Sequence, residues 1–147
     1  MLGEIFDPRR INMNLMSRTK IDVLGELVET VKETDSALDK QEMLNAITMR
    51  ENKMNTIILP GVAIPHGYCT TVHGIIGAIG FSRMGIEFDQ ESREPVHLFF
   101  MLLMDESSRE KHLRVFGRLL EVLNSAALSE IQKIATPQEL YNLLCRY

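Results

Sequence analysis

His66 closes an apolar run, Gly61-Val62-Ala63-Ile64-Pro65-His66-Gly67. The run has strand length and stops at a proline, and the histidine follows at once. Proline ends ladder pairing, and the glycine after the histidine lets the backbone turn and approach a partner closely. The pattern therefore presents His66 at the end of a buried element. An imidazole held that way can act as a nucleophile, a general base or a ligand.

Two other residues extend this chemistry. His112 lies one position before Leu113 on a predicted amphipathic helix. That puts it beside the buried stripe and in the early turns, where amide dipoles favour an anion. Arg50 falls near the C-terminal end of an earlier predicted helix. An arginine near a reactive histidine would hold phosphate or carboxylate through paired, charged hydrogen bonds. Taken singly, each residue also has a plainer meaning. His66 would be a hydrogen-bonded loop histidine, His112 a boundary residue on its helix, and Arg50 a cation suited to the helix dipole.

Other constellations compete. His66, Cys69 and His73 form an H-x2-C-x3-H cluster to which His112 would add a fourth zinc ligand. The spacing is irregular, and no second Cys/His pair lies nearby. Cys69 as a thiol nucleophile with His66 as its base is a further reading, but no Asn or Asp is placed to orient that histidine. There is no G-x-x-x-x-G-K-[ST] loop, no G-x-G-x-x-G and no G-x-S-x-G elbow. Asp105 and Glu106 read as the start of a loop. The nine methionines fall mainly at core-like positions.

The elements that must position these residues follow from periodicity. Ile11, Met13 and Leu15 alternate with Asn12 and Asn14, which predicts a strand with one buried face. Ile21, Leu24, Leu27, Val28 and Val31 then lie on one face of a helix. Ser36 to Leu38 reads as a loop, and Asp39-x-x-Glu42 as the start of a second helix ending between Arg50 and Lys53. Its buried face is Met43, Leu44 and Ile47. Thr56 to Ile64 predicts a short strand, a turn at Pro60-Gly61 and a second short strand leading to His66. Gly74 to Phe81 reads as a closely packed strand, and Gly85 to Phe88 as turn and edge structure. Val96 to Met104 is apolar on both faces apart from His97, which predicts a central strand. Ser107-x-x-Glu110 resembles a capping box, with Leu113, Phe116, Leu120 and Leu123 as the stripe that follows. Another helix is predicted over Ala126 to Ile134. Thr136-Pro137-Gln138-Glu139 starts a last one that buries Leu140, Leu143 and Leu144. Strands interleaved with helices predict an α/β fold: a three-layer α/β/α sandwich with a small mixed sheet flanked by helices on both sides.

Composition sets outer bounds. The chain has 147 residues, 45% of them hydrophobic and 24% charged, which fits one soluble domain over 1–147. A net charge of −4 with no Lys/Arg-rich stretch argues against nucleic acid or an acidic membrane surface as the main partner. Two isolated cysteines make no disulfide framework and point to a reduced, cytoplasmic setting. Acids and Pro8 interrupt the first residues, so they do not read as a secretory leader. Val96 to Met104 is too short to span a bilayer.

The run Gly61 to Gly67 resembles the active-site signature of the fructose/mannitol-type enzyme IIA, a family that includes a nitrogen-regulatory branch. Its members are phosphocarriers of the bacterial phosphoenolpyruvate:sugar phosphotransferase system. The resemblance extends along nearly the whole chain. Arg50-Glu51 matches the Arg-Glu pair ahead of the active-site loop, and Gly85 to Phe88 with Pro95-Val96 matches the stretch before the central strand. His112-Leu113 matches the second histidine, and Ala135 to Leu144 the closing helix. It implies that His66 is the phosphorylated residue, with His112 and Arg50 in support. Phosphate would come from an HPr-type donor and leave to an enzyme IIB cysteine or serve a regulatory target protein, with no cofactor and no metal. Many members carry extra glycines where this chain has Ile57 and Leu59, and Pro60 precedes Gly61. His97 often corresponds to a smaller or acidic residue, and Cys69 and His73 lie outside the motif. A sugar-transport role, a nitrogen-regulatory role, and a metal-binding or structural domain without phosphotransfer are the readings this leaves.

Overall fold

The computed structural model describes residues 1–147. The first helix, α1, is Leu2–Ile5, and a 3-10 turn at Pro8–Arg10 leads into β1, Ile11–Asn12. Two helices follow, α2 (Lys20–Thr34) and α3 (Lys40–Lys53). Then come β2 (Ile57–Leu59), β3 (Val62–Ala63), β4 (His66–Tyr68), β5 (Ile75–Ile86) and β6 (Val96–Met104). After a 3-10 turn at Glu106–Ser108 the chain closes with α4 (Arg109–Leu123), α5 (Ala127–Ile131) and α6 (Pro137–Leu144).

The unbroken apolar run of β6 becomes the centre of the sheet. β5 pairs antiparallel on one side of it, while β3 and β4 pair parallel on the other. β2 extends the sheet beyond β3, and β1 runs parallel to β5 at the opposite edge. A strand covered on both faces is apolar on both. Two cores result. Val62, Ile64, Leu98, Phe100 and Leu102 face α1, α4, α5 and α6. Ala63, Ala78, Phe99, Met101 and Leu103 face α2 and α3. The expected three-layer sandwich with a mixed sheet is the observed architecture.

Local sequence rules explain most boundaries. The Thr19 side chain caps α2, Asp39 caps α3, and Thr136 with Glu139 forms a capping box at α6 behind Pro137. Gly61 turns β2 into β3 at φ 80°. Gly77 and Gly80 meet side chains of Phe6 and Leu15 so closely that a Cβ would lie 2.4 and 2.6 Å from them.

Several expectations are corrected. The alternating run at Ile11 gives a strand of two residues, because Asn12 Oδ1 accepts from the Asn14 amide and turns the chain out of the sheet. Val23 replaces Ile21 in the buried face of α2; Ile21 lies in the first turn and is 78% exposed. The short helix α1 had no counterpart in the pattern reading. β5 continues through a bulge to Ile86, past the expected turn. Ser107 does not cap α4: its hydroxyl donates to Asp105 Oδ1, and Ser108 occupies the cap position. α5 ends at Ile131 rather than Ile134. Leu123 is buried as expected, but the rest of the α4 stripe is rotated by one position, to His112, Val115, Leu119 and Val122, and leaves Leu113 66% exposed. Two offset apolar rows lie on that helix, and periodicity alone does not choose between them.

Candidate functional site

Pro65 interrupts the ladder rather than ending it. Ala63 pairs with Phe99 and His66 with Leu102, so β3 and β4 hold one register across the break. The Ile64 amide turns away to Thr56 O at 2.9 Å, while Leu102 N donates to Pro65 O at 2.9 Å. His66 thus opens β4. Side chains alternate along a strand, so His66 and Tyr68 point toward α4 and Gly67 points toward α3.

Gly67 is required by the close approach of α3. A Cβ there would lie 2.7 Å from both the carbonyl carbon and the oxygen of Ala46, which are backbone atoms with little freedom to retreat. One helical turn before Ala46, Glu42 accepts from the Thr70 amide at 2.9 Å. The row Glu42, Ala46, Arg50 therefore runs along β4 toward its His66 end. Gly67→Ala is expected to destabilise the fold by about 1–3 kcal/mol through overpacking, read as a lower midpoint in urea unfolding.

On the α4 side the two histidines meet. The His66 and His112 rings lie 5.4 Å apart between centroids at 43°. Phe116 packs against both, 5.7 Å from His66 and 5.9 Å from His112. Tyr68 stands edge-on to His112 at 6.2 Å, and the Arg109 guanidinium lies 5.7 Å from the Tyr68 ring. His66 Nδ1 is 2.9 Å from the carbonyl oxygen of Ile64. A carbonyl only accepts, so it selects the Nδ1–H tautomer and leaves the lone pair on Nε2. His112 is 8% exposed, and its buried Nε2 has no hydrogen-bond partner.

The electrostatics keep both rings neutral. Burial pushes the His66 pKa down, the Ile64 carbonyl opposes this, the Arg50 charge lowers it further and Glu51 raises it. Burial also lowers the His112 pKa, and His66 adds to that effect. The stability this confers is complete above the ordinary histidine value of 6.5 and is lost as pH falls below it. There the unfolded chain takes up protons that the folded one refuses. The melting temperature is therefore expected to drop between about pH 7 and pH 5, and to drop less when both His66 and His112 are alanine.

Arg50 sits at the end of α3, where its Nη1 donates to Met54 O at 2.8 Å. Its charge disfavours protonation of His66, a smaller effect than burial. Glu51 beside it is 3% exposed and accepts from the Thr56 amide at 3.0 Å, the Thr56 hydroxyl at 2.7 Å and Lys20 Nζ at 3.1 Å. That carboxylate folds the chain between α3 and β2 into a fixed loop. The alternative ligands do not assemble. No group of three or more His, Cys, Asp or Glu side chains comes close enough together to hold a metal ion. Cys69 is buried with its Sγ 3.2 Å from Thr71 Oγ1. His97 holds the β5 bulge through Nδ1 at 2.8 Å from Ser82 O.

Tyr68, Phe116 and Arg109 join the site without having been singled out by the sequence reading, and Glu51 enters it there only through the Arg-Glu match. The signals were present: Tyr68 is two positions from His66 on a strand, and Phe116 is four from His112 on a helix.

Solved structures place this architecture among the IIA proteins of the phosphotransferase system. Nitrogen regulatory protein IIA-Ntr from Neisseria meningitidis superposes with a TM-score of 0.87 at 27% identity, covering 97% of this chain and 98% of that one. IIA mannitol from Escherichia coli shares the fold at a TM-score of 0.69, with 17% identity over 92% of this chain and 96% of that one. The model of the phosphoenolpyruvate-dependent sugar phosphotransferase system EIIA 2 family matches residues 4–147, and the chain belongs to that family. The fructose-specific EIIABC component of the phosphotransferase system in Bacillus subtilis is 31% identical over 83% of this chain, which spans only 19% of that protein's length. A nitrogen regulatory protein of Pseudomonas aeruginosa is 26% identical over 97% of this chain and 94% of its own length. No helix of the structure is long and apolar enough to cross a membrane.

Proposed function

We propose that His66 Nε2 is the phosphoryl acceptor of this phosphocarrier domain, that the donor is an HPr-type phosphocarrier protein, and that transfer takes place in the cytoplasm. The observation that carries the reading is the bond between His66 Nδ1 and the Ile64 carbonyl, which frees Nε2 as the nucleophile. Attack forms a P–N bond at Nε2 as the bond to the donor breaks, and the Nδ1 proton stays in place. The positive charge that develops on the ring is stabilised by the Ile64 carbonyl. His112 and Arg50 supply N–H donors to the phosphoryl oxygens, so that positioning and charge do most of the work.

The nitrogen-regulatory role is the first reading, supported by the match over 94% of the length of a protein so named. In that role the charge added at His66 changes which protein binds. The second reading is a fructose-type carrier that passes phosphate to an enzyme IIB cysteine, supported by the 31% identical fructose-specific relative. A complex of enzyme IIA mannitol with phosphorylated enzyme IIB mannitol from Escherichia coli has this fold at 18% identity and a TM-score of 0.78.

The test is incubation with phosphoenolpyruvate, enzyme I and HPr, read by intact mass and by stability in acid and base. One acid-labile, base-stable phosphoryl group supports the proposal. Absence of transfer, with HPr paralogues of the same organism also tried, overturns it. Onward transfer to an enzyme IIB would select the second role.

A further inference from the structure

A large cleft lies away from the histidines. It has a volume of about 870 Å³ and is walled by three segments: Met13–Arg18, Phe81–Met84 and residues 132–135, without Lys133. Phe81 pairs with Leu98 and His66 with Leu102, so the cleft and the histidine pair are separated by about 13 Å along β6. The volume falls within the range of small-molecule sites.

Its walls are fixed in advance. The Leu15 amide donates to Phe81 O at 2.8 Å and ties the first two walls together. Glu26 accepts from the amides of Met16 and Ser17, at 3.0 and 2.9 Å, and from the Ser17 hydroxyl at 2.6 Å. The bulge is held by His97 Nδ1 on Ser82 O and by the Gly85 amide donating to Ser82 Oγ at 3.0 Å. Gly85 has φ 82°, and a Cβ there would lie 2.6 Å from Pro95, so the bulge requires glycine at this position.

The lining combines an apolar floor with unpaired positive charge. Met13, Leu15, Phe81 and Ile134 supply the floor, and Met16 and Met84 stand on the rims at 75% exposure each. Methionine rims adapt to apolar guests. Arg18 and Arg83 line the cleft, and neither has a carboxylate within ion-pair distance. No Asp or Glu lines the cleft. The carboxylates that reach its edges are engaged by the backbone: Glu26 as described, and Glu139 by the amides of Ala135 and Thr136. Two free guanidiniums over an apolar floor match a guest with an acidic head and an apolar body.

We propose that this cleft is a second ligand site, which binds a small amphipathic anion, its carboxylate or phosphate between Arg18 and Arg83 and its apolar body over Phe81 and Ile134.

The test is a titration of isotope-labelled protein with decanoate, decyl phosphate and decanol, read from amide chemical shifts. The expected result is saturable shifts within the three walls on adding either anion, and binding of decanol that is weaker by about tenfold or more. The more effective anion identifies the head group. Combined Arg18→Ala and Arg83→Ala is expected to weaken anion binding by about tenfold or more with the melting temperature unchanged, since both side chains are exposed. Absence of saturable shifts, equal binding of decanol, or undiminished binding by the double variant would each overturn the site. Shifts of the same residues with protein concentration alone would also overturn it, in favour of a second copy covering the cleft.

Discussion

His66→Ala is expected to abolish phosphoryl acceptance completely, with the fold intact. No neighbouring group can take over. Cys69 is buried with its sulfur beside Thr71, and the His112 ring lies beneath α4 at 8% exposure. The carbonyl of Ile64 organises one imidazole only. A neutral ring is the nucleophile, and burial with the Arg50 charge keeps His66 neutral at ordinary pH. His66→Gln separates chemistry from packing: it fills much of the same volume and carries an amide, which does not attack phosphorus. Intact mass after incubation with the donor system reads both variants, and circular dichroism checks the fold. A variant that still takes up one phosphoryl group at normal yield would falsify the assignment of the acceptor.

The fold was readable because its strongest signals were local. The apolar run of β6, the caps at Asp39 and Thr136, and the Pro60-Gly61 turn each follow from a few adjacent residues, and each appears where expected. Errors arose where tertiary contacts chose between near-equal local options. Val115, Leu119 and Val122 dock α4, and this rotates the helix so that a histidine is buried and Leu113 is exposed. Pairing that resumes after Pro65 depends on the register of β6, which the run Gly61 to Gly67 does not contain. The site followed the same division. His66, His112 and Arg50 were selected by type and by the family resemblance, and the structure brings the two histidines into contact and Arg50 within electrostatic reach. Tyr68 and Phe116 follow by spacing once His66 and His112 are placed on a strand and a helix, whereas the contribution of Glu51 required the third dimension, because it acts through a loop closed by a buried charge.

His112→Ala is expected to slow phosphoryl transfer by about 10²–10³-fold, the usual cost of one transition-state donor, without unfolding the protein. The argument rests on an atom left unsatisfied. A buried ring nitrogen without a partner costs free energy in the resting protein, and His112 Nε2 is in that position. A phosphoryl group arriving on His66, with the ring centroids 5.4 Å apart, would bring oxygens within reach and provide the missing acceptor. Burial and His66 favour the neutral ring, which carries a single N–H, and donation to the phosphoryl group uses the tautomer that places it on Nε2. A packing role makes a different forecast: replacement would lower the unfolding midpoint and leave the transfer rate per folded molecule unchanged. Rapid-quench kinetics with the donor, alongside urea unfolding, separates the two. His112→Gln, which retains an N–H, is expected to recover part of the rate. A transfer rate equal to the parent's in the alanine variant would reduce His112 to a core residue of α4 and leave Arg50 as the one side chain proposed to stabilise the phosphoryl oxygens.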